Sequence, residues 1–184
     1  MGVRTIRRAI FLDRDGVLNE AIVRNGKPYP PASAAEVRLV EGAAEGMARL
    51  KELGFLLLVV TNQPDVARGA QTMEELGAIN QVLEEALPLD AILICPHDSG
   101  DECPCRKPKP GLLLFGAEKF ELSLPDCYMI GDRWRDMDAA EAAGVPGVWI
   151  DYAYRERGPA VPPAARVTSL RDAVEWIVTQ ENRS

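Results

Sequence analysis

The chain has 184 residues, 47% of them hydrophobic and 27% charged, which is enough apolar material for one packed core and cramped for two. Its net charge of -7 and pI near 4.9 exclude a general nucleic-acid binder, because such proteins draw affinity from a basic surface that displaces counterions. The longest apolar stretch, residues 55–60, falls far short of the roughly 20 that a membrane helix needs.

The basic start at Arg4, Arg7 and Arg8 leads into a predicted strand at 9–12 that stops at Asp13, too short for a secretory leader's run of about 7–15 apolar residues. The protein is therefore expected in the cytoplasm, with neither membrane nor nucleic acid as partner. Residues 27–32, rich in proline, read as a loop over one edge. Ala43, Met47 and Leu50 keep one helical face and Gly54 stops it; a second strand at 55–60 ends at Thr61. Leu76, Ile79, Leu83 and Ala86 form the next helical face, with Pro88 beyond. A strand at 91–94 precedes Cys95, a helix covers 112–120, and a strand at 128–130 runs into Gly131 and Asp132. A helix over 137–143 closes at Gly144, a strand at 148–150 meets Asp151, residues 158–163 form a surface loop, and a helix over 170–178 follows a Ser169 cap. Strands apolar on both faces, alternating with helices, predict an α/β fold. It is a Rossmann-like open parallel sheet with helices on both faces, built as a single domain over 1–184.

In such sheets ligands gather beyond the carboxyl ends of the strands, so the residues there belong together. FLDRDGVLN (11–19) sets Asp13 and Asp15 just past a buried strand. A carboxylate is ionised at neutral pH and attacks phosphorus without first losing a proton, but it is repelled by a phosphate dianion. Mg²⁺ is the expected offset, held by Asp13 and Asp132 with a backbone carbonyl near Asp15. A plain turn with capping duties is the bland reading of the pair on its own. TNQPDVARG (61–69) adds a Thr61 hydroxyl for a phosphoryl oxygen and Asn62 for a substrate hydroxyl, although both also suit a helix cap. CRKPKPG (105–111) offers Lys107 or Lys109 to neutralise transferring charge, between prolines that restrict the backbone. In MIGDRWRDMDAA (129–140), Asp132 lies nearest the strand, Asp136 is placed to orient a lysine or a bound water, and Asp138 reads as a helix-dipole complement.

These elements, in this order, resemble the haloacid dehalogenase superfamily of aspartate-nucleophile phosphatases. The resemblance implies a strand order of 5-4-1-2-3. It also implies that Asp13 attacks to form an aspartyl phosphate, while Asp15 protonates the leaving alkoxide and later deprotonates the hydrolytic water. The superfamily's phosphoryl-binding threonine and lysine fall on Thr61 and Lys107. No long insertion separates the motifs, so no large cap domain is expected, and access falls to residues 16–35 and to the loop before Lys107.

That loop holds Cys95, His97, Cys103 and Cys105, and His97 is the chain's one histidine. Three thiolates and an imidazole match a closed tetrahedral Zn²⁺ site, hence a structural zinc-stabilised loop that directs Arg106 and Lys107. A disulfide is the competing reading, opposed by a reducing cytoplasm and a cramped 103–105 pairing. Cys127, at a strand start, reads as a small core residue. Within the superfamily the loop resembles two groups, the phosphatases of D-glycero-D-manno-heptose 1,7-bisphosphate and of histidinol phosphate. The phrases FLDRDGVLN and CRKPKPG favour the heptose group, from whose usual Ser-Gly this chain departs at Pro64 and Asp65. The expected partner is thus a small phosphorylated metabolite, a sugar bisphosphate first and histidinol phosphate second, met by a monomer. Asn62, Arg106 and Arg133 are the candidate substrate contacts; an amine would instead seek Glu20, Asp98 or Glu102. A zinc-stabilised binding module is the non-enzyme alternative. A P-loop kinase or dinucleotide enzyme is not, since neither glycine pattern occurs.

Overall fold

The computed structural model describes residues 7–183, so Arg4 lies outside the described residues. Strand β1 (Ala9–Leu12) has no exposed side chain, as a central strand covered on both faces requires. A hairpin of β2 (Ile22–Arg24) and β3 (Lys27–Tyr29) follows, then α1 (Ala43–Glu52), β4 (Leu56–Asn62), α2 (Met73–Ala86), β5 (Ala91–Cys95) and α3 (Gly111–Phe120). The chain continues through β6 (Tyr128–Gly131), α4 (Trp134–Ala143), β7 (Gly147–Ile150), β8 (Ala165–Val167) and α5 (Leu170–Glu181). The main sheet is parallel throughout, in the order β5-β4-β1-β6-β7-β8.

Two sequence expectations need correction. The order 5-4-1-2-3 counts five strands, whereas the sheet has six, with β8 added outside β7. β8 carries no apolar run: it is a three-residue Ala-Arg-Val edge strand with no fully buried side chain, so hydrophobic patterning gives no sign of it. Residues 27–32 are likewise not all loop. Lys27–Tyr29 pairs antiparallel with Ile22–Arg24 around Asn25-Gly26, both at positive φ, the dipeptide that favours two-residue hairpin turns.

Because successive strand residues face opposite ways, the two faces of β1 and β4 feed separate cores. Ile10, Leu12, Leu57 and Val59 pack with Met47, Leu50, Ile79, Leu83 and the buried side of α5. Ala9, Phe11, Leu58 and Val60 pack with Leu112, Leu113, Met137 and Ala140 from α3 and α4. The structure thus gives helices on both faces, as expected. β4 runs two residues beyond its apolar stretch because Thr61 and Asn62 stay in register with Ile94 and Cys95 of β5. That extension sets the second motif beside the first at the carboxyl edge of the sheet. No described helix is long and apolar enough to cross a membrane.

Candidate active site

Asp13 follows β1 directly, and its backbone N–H is tied to the Ile130 carbonyl on β6 at 3.0 Å. Its Oδ1 accepts from the Arg14 N–H at 2.8 Å and lies 2.9 Å from Lys107 Nζ. Lys107 Nζ also donates to Asp136 Oδ1 at 2.5 Å, and Asp136 Oδ2 takes the Arg133 N–H at the start of α4. Lys107 is 2% exposed, so this ammonium is buried between two carboxylates. Burial alone would depress its pKa, but the charges of Asp13 and Asp136 hold it above its usual range. Burial, reinforced by Asp136, raises Asp13 to about 6 despite Lys107. Of the two lysines the sequence offered, Lys107 is at the reaction carboxylates. Lys109 instead donates to the Glu102 and Cys103 carbonyls, outside the site.

Asp132 completes a buried acidic trio, since one oxygen each of Asp13, Asp132 and Asp136 lies within 4.8 Å of the others. Three carboxylates face a single ammonium there, and burial followed by the charges of Asp13 and Asp136 pushes Asp132 well above the carboxylate range. Its Oδ2 accepts from Tyr154 Oη at 2.9 Å and its backbone carbonyl from Trp149 Nε1 at 3.1 Å, while Oδ1 is buried with no hydrogen-bond partner. A buried orphan oxygen amid excess negative charge is the signature of a hard cation's ligand set, so the residues fit Mg²⁺. Gly16, at φ +86°, makes room for this arrangement: a Cβ there would sit 2.0 Å from Asp132 Oδ2.

Asp15 stands outside the trio. It accepts from the Arg14 guanidinium, from Asn19 Nδ2 at 3.0 Å and from Gln63 Nε2 at 2.8 Å. Gln63 Nε2 also donates to Thr61 Oγ1 at 2.8 Å, so the Thr61 hydroxyl keeps its own proton to offer elsewhere. Asn62 is engaged on both amide atoms by the Lys107 backbone.

A cleft of about 410 Å³ opens over Asp13, Asp15, Thr61 and Lys107. The β2–β3 hairpin walls it with Lys27 and Tyr29, and the cysteine loop with Ser99 and Arg106, matching the two access segments expected from the sequence. Arg106 is tethered through Nη1 to the His97 carbonyl at 2.9 Å. Arg133, expected to meet substrate, reaches the cleft already paired with Glu156. Sequence reading passed over Arg14, Gln63, Trp149, Tyr154, Arg135 and Glu156. Arg14, Gln63 and Arg135 carry a signal, as polar residues embedded in the motifs at 11–19, 61–69 and 129–140. Asp138 anchors the loop after β7, accepting from Arg157 and the Ala160 N–H at 2.7 Å each, rather than merely complementing the helix dipole.

The cysteine loop closes on itself. The Sγ atoms of Cys95, Cys103 and Cys105 and the Nδ1 of His97 lie within 4.8 Å of one another, with neighbouring pairs at 3.3–3.6 Å. A tetrahedron of 2.3 Å Zn–S bonds has edges of about 3.8 Å, so the cage fits zinc. None of the cysteines is in a disulfide. Burial pushes the Cys95 thiol up to about 12, a cost a bound cation offsets, since thiolate is the ligand form. Cys127 is a buried core residue, as expected.

Comparison with known proteins agrees with this geometry. A family model described as haloacid dehalogenase-like hydrolase matches residues 29–144, a stretch that begins after Asp13 and Asp15. The D-glycero-beta-D-manno-heptose-1,7-bisphosphate 7-phosphatase of Escherichia coli K12 is 38% identical over 182 residues, covering 92% of this chain and 87% of its own. Its namesake from Vibrio cholerae is 37% identical over 149 residues, covering 74% and 77%. The crystal structure of D,D-heptose 1,7-bisphosphate phosphatase from B. bronchiseptica, complexed with magnesium and phosphate, superposes with a TM-score of 0.79 at 29% identity, covering 95% of this chain and 99% of that one. By the matched family model and these relatives, the chain belongs to the haloacid dehalogenase-like hydrolases and is one of their phosphatases.

Proposed function

We propose that the chain removes the C7 phosphate of D-glycero-D-manno-heptose 1,7-bisphosphate, using Mg²⁺ and a phosphorylated Asp13. The observation that carries this reading is the buried Lys107 ammonium joined to both Asp13 and Asp136 at the floor of a cleft. An Asp13 oxygen forms the bond to phosphorus as the bond to the ester oxygen breaks, and Asp15 gives its proton to that oxygen. Asp15 then takes a proton from water, whose oxygen attacks phosphorus and releases Asp13 and inorganic phosphate. Thr61 offers its hydroxyl to a phosphoryl oxygen, and Lys107 holds Asp13 in line. When bound by Asp13 and Asp132, with Asp136 beside them and a carbonyl of Asp15, Mg²⁺ offsets the charge of the phosphoryl group. Structural zinc on Cys95, His97, Cys103 and Cys105 belongs to the same reading, as do a cytoplasmic monomer and a single unit over 1–184.

The substrate reading is supported by cations on the cleft wall that no carboxylate of the site engages: Lys27, Arg106 and Arg135. A second phosphate suits such a wall. An amine suits it less, because the other acids of the cleft already hold arginines, Asp65 with Arg68 and Glu156 with Arg133. Asp98 is paired with Arg68, which holds it down to about 2, and Glu20 lines a separate cavity.

The test is phosphate release from heptose 1,7-bisphosphate, fructose 1,6-bisphosphate and histidinol phosphate, compared as kcat/KM with Asp13→Asn as the blank. The heptose ester should lead and the blank should be inert. Preference for histidinol phosphate would overturn the substrate, and an active Asp13→Asn would overturn the nucleophile.

A further inference from the structure

We infer that Arg14 is a positioning residue for proton transfer: a buried guanidinium, anchored on α2 through Asn80, that fixes the Asp15 carboxylate at the floor of the cleft. The inference rests on the reading of Asp15 as the acid in ester cleavage and adds the device that holds it.

Arg14 is the largest fully buried side chain among the described residues, with no exposed area. A charge in that position is tolerated only when paired and hydrogen-bonded. Arg14 divides its donors between Asp15 and Asn80. Nε reaches Asp15 Oδ1 at 3.1 Å, Nη2 reaches Oδ1 at 3.0 Å and Oδ2 at 3.1 Å, and Nη1 donates to Asn80 Oδ1 at 3.0 Å. Asn80 is itself buried on α2, so a helix of the far layer fixes the fork. Asn19 and Gln63 add one donor to each Asp15 oxygen. Asp15 lines the cleft and Arg14 does not, so the fork holds the carboxylate from the protein side.

The two buried cations among the described residues therefore divide the work. Lys107 serves Asp13 and Asp136, whereas Arg14 meets neither of them through its side chain and serves Asp15 alone. A planar fork fixes the rotation of a carboxylate, which a single ammonium cannot do. Proton transfer to a departing oxygen demands that rotation, because its efficiency depends on hydrogen-bond geometry.

The leaving group supplies a readout that a merely structural role would not move. A sugar alkoxide needs Asp15's proton to depart, while p-nitrophenolate leaves without one. The measurement is kcat/KM, which covers steps only through phosphorylation of Asp13, for a sugar phosphate and for p-nitrophenyl phosphate. Arg14→Met should lower the sugar value about 100-fold and the p-nitrophenyl value less than about threefold. Arg14→Lys, with charge but no fork, should fall between Arg14→Met and wild type. Asn80→Ala, which frees the fork without touching Asp15, should lower the sugar value about threefold to tenfold and spare the aryl ester. Equal losses on both esters, or no loss, would overturn the inference; if Arg14→Met does not fold, the Asn80→Ala ratio decides. A wild-type protein that cleaves neither ester refutes the phosphatase reading and takes this one with it.

Discussion

Asn62 clamps the Lys107 backbone: its Nδ2 donates to the Lys107 carbonyl at 3.0 Å, and its Oδ1 accepts the Lys107 N–H at 3.1 Å. A residue expected to touch substrate thus holds the residue that aligns the nucleophile. Asn62→Ala removes both bonds and lets the loop carrying the ammonium shift. Activity as kcat/KM should fall about 10- to 100-fold, since displacements near 1 Å at a reacting group cost that much. Stability should fall by about 1–2 kcal/mol for two lost hydrogen bonds. Steady-state kinetics alongside thermal unfolding checks both, and wild-type turnover would remove the clamp from the mechanism.

The acidic trio makes stability depend on pH in an unusual direction. Asp13 titrates near 6 when folded against 3.8 when solvated, and Asp132 is shifted the same way. Between about pH 4 and 6 the folded state therefore holds more protons than the unfolded one, and stability declines as pH rises through that window. Asp98, held down to about 2, acts in the opposite sense only below its ordinary 3.8. Protein prepared without Mg²⁺ should be more stable at pH 5 than at pH 7, by on the order of 2 kcal/mol, and unfold at a higher temperature there. Added Mg²⁺ should raise Tm more at pH 7, where it competes with fewer protons. A Tm climbing steadily from pH 5 to 7 without Mg²⁺ would contradict the charge excess at Asp13 and Asp132.

Which parts of this architecture were legible in the residues follows from how the signal is carried. β1, β4 and β6 announce themselves because both faces are buried, and each apolar run is followed within two residues by a charged or hydroxyl residue that cannot continue it. That gave Asp13, Thr61 and Asp132 their places. The cysteine cage was legible because its ligands are local in sequence. Tyr154 and Glu156 were not, because their role depends on the loop after β7 returning to the sheet edge. There Arg155 N–H bonds the Gly26 carbonyl and Glu156 meets Arg133, contacts between segments that share no pattern. The roles of Arg14 and Asn62 were hidden for another reason: which way a side chain points within a motif is decided by packing, not by spacing.

Zinc and magnesium should separate experimentally. Cys103 Sγ lies 3.6 Å from Cys95 Sγ and 3.4 Å from Cys105 Sγ, so Cys103→Ser removes one corner of the cage. A serine oxygen is a poor substitute for thiolate, and a short polar loop has little apolar area to order itself. If the cage holds the proposed zinc, wild-type protein should carry one zinc per chain and the variant near none, Tm should fall by several degrees, and turnover should weaken because Arg106 and Lys107 leave this loop directly. Mg²⁺ should still bind, since the carboxylates of the acidic trio lie on other elements. Elemental analysis with Mg²⁺ titration tests this, and unchanged zinc content would remove Cys103 from the cage.

Tyr154 bears on the acidic trio through a single hydroxyl. Its Oη donates to Asp132 Oδ2 at 2.9 Å while Trp149 holds the Asp132 carbonyl, which leaves Oδ1 as the oxygen for a cation. Such outer hydrogen bonds orient metal ligands and are worth about 10- to 100-fold in affinity. Burial and the Asp132 charge push the Tyr154 hydroxyl above its usual range, so it stays a donor across the working pH range. Tyr154→Phe deletes the one hydrogen bond that lowers the Asp132 pKa while keeping the burial that raises it. Protons then compete more strongly with Mg²⁺. Calorimetric Mg²⁺ titration should show affinity about tenfold weaker near neutral pH, with a smaller deficit at pH 8 and a larger one at pH 6.5. Turnover at saturating Mg²⁺ should stay close to wild type, because the hydroxyl touches neither Asp13 nor Asp15. A deficit independent of pH would mean that Tyr154 acts through packing alone, and no deficit would mean that Asp132 needs no help to hold its orientation.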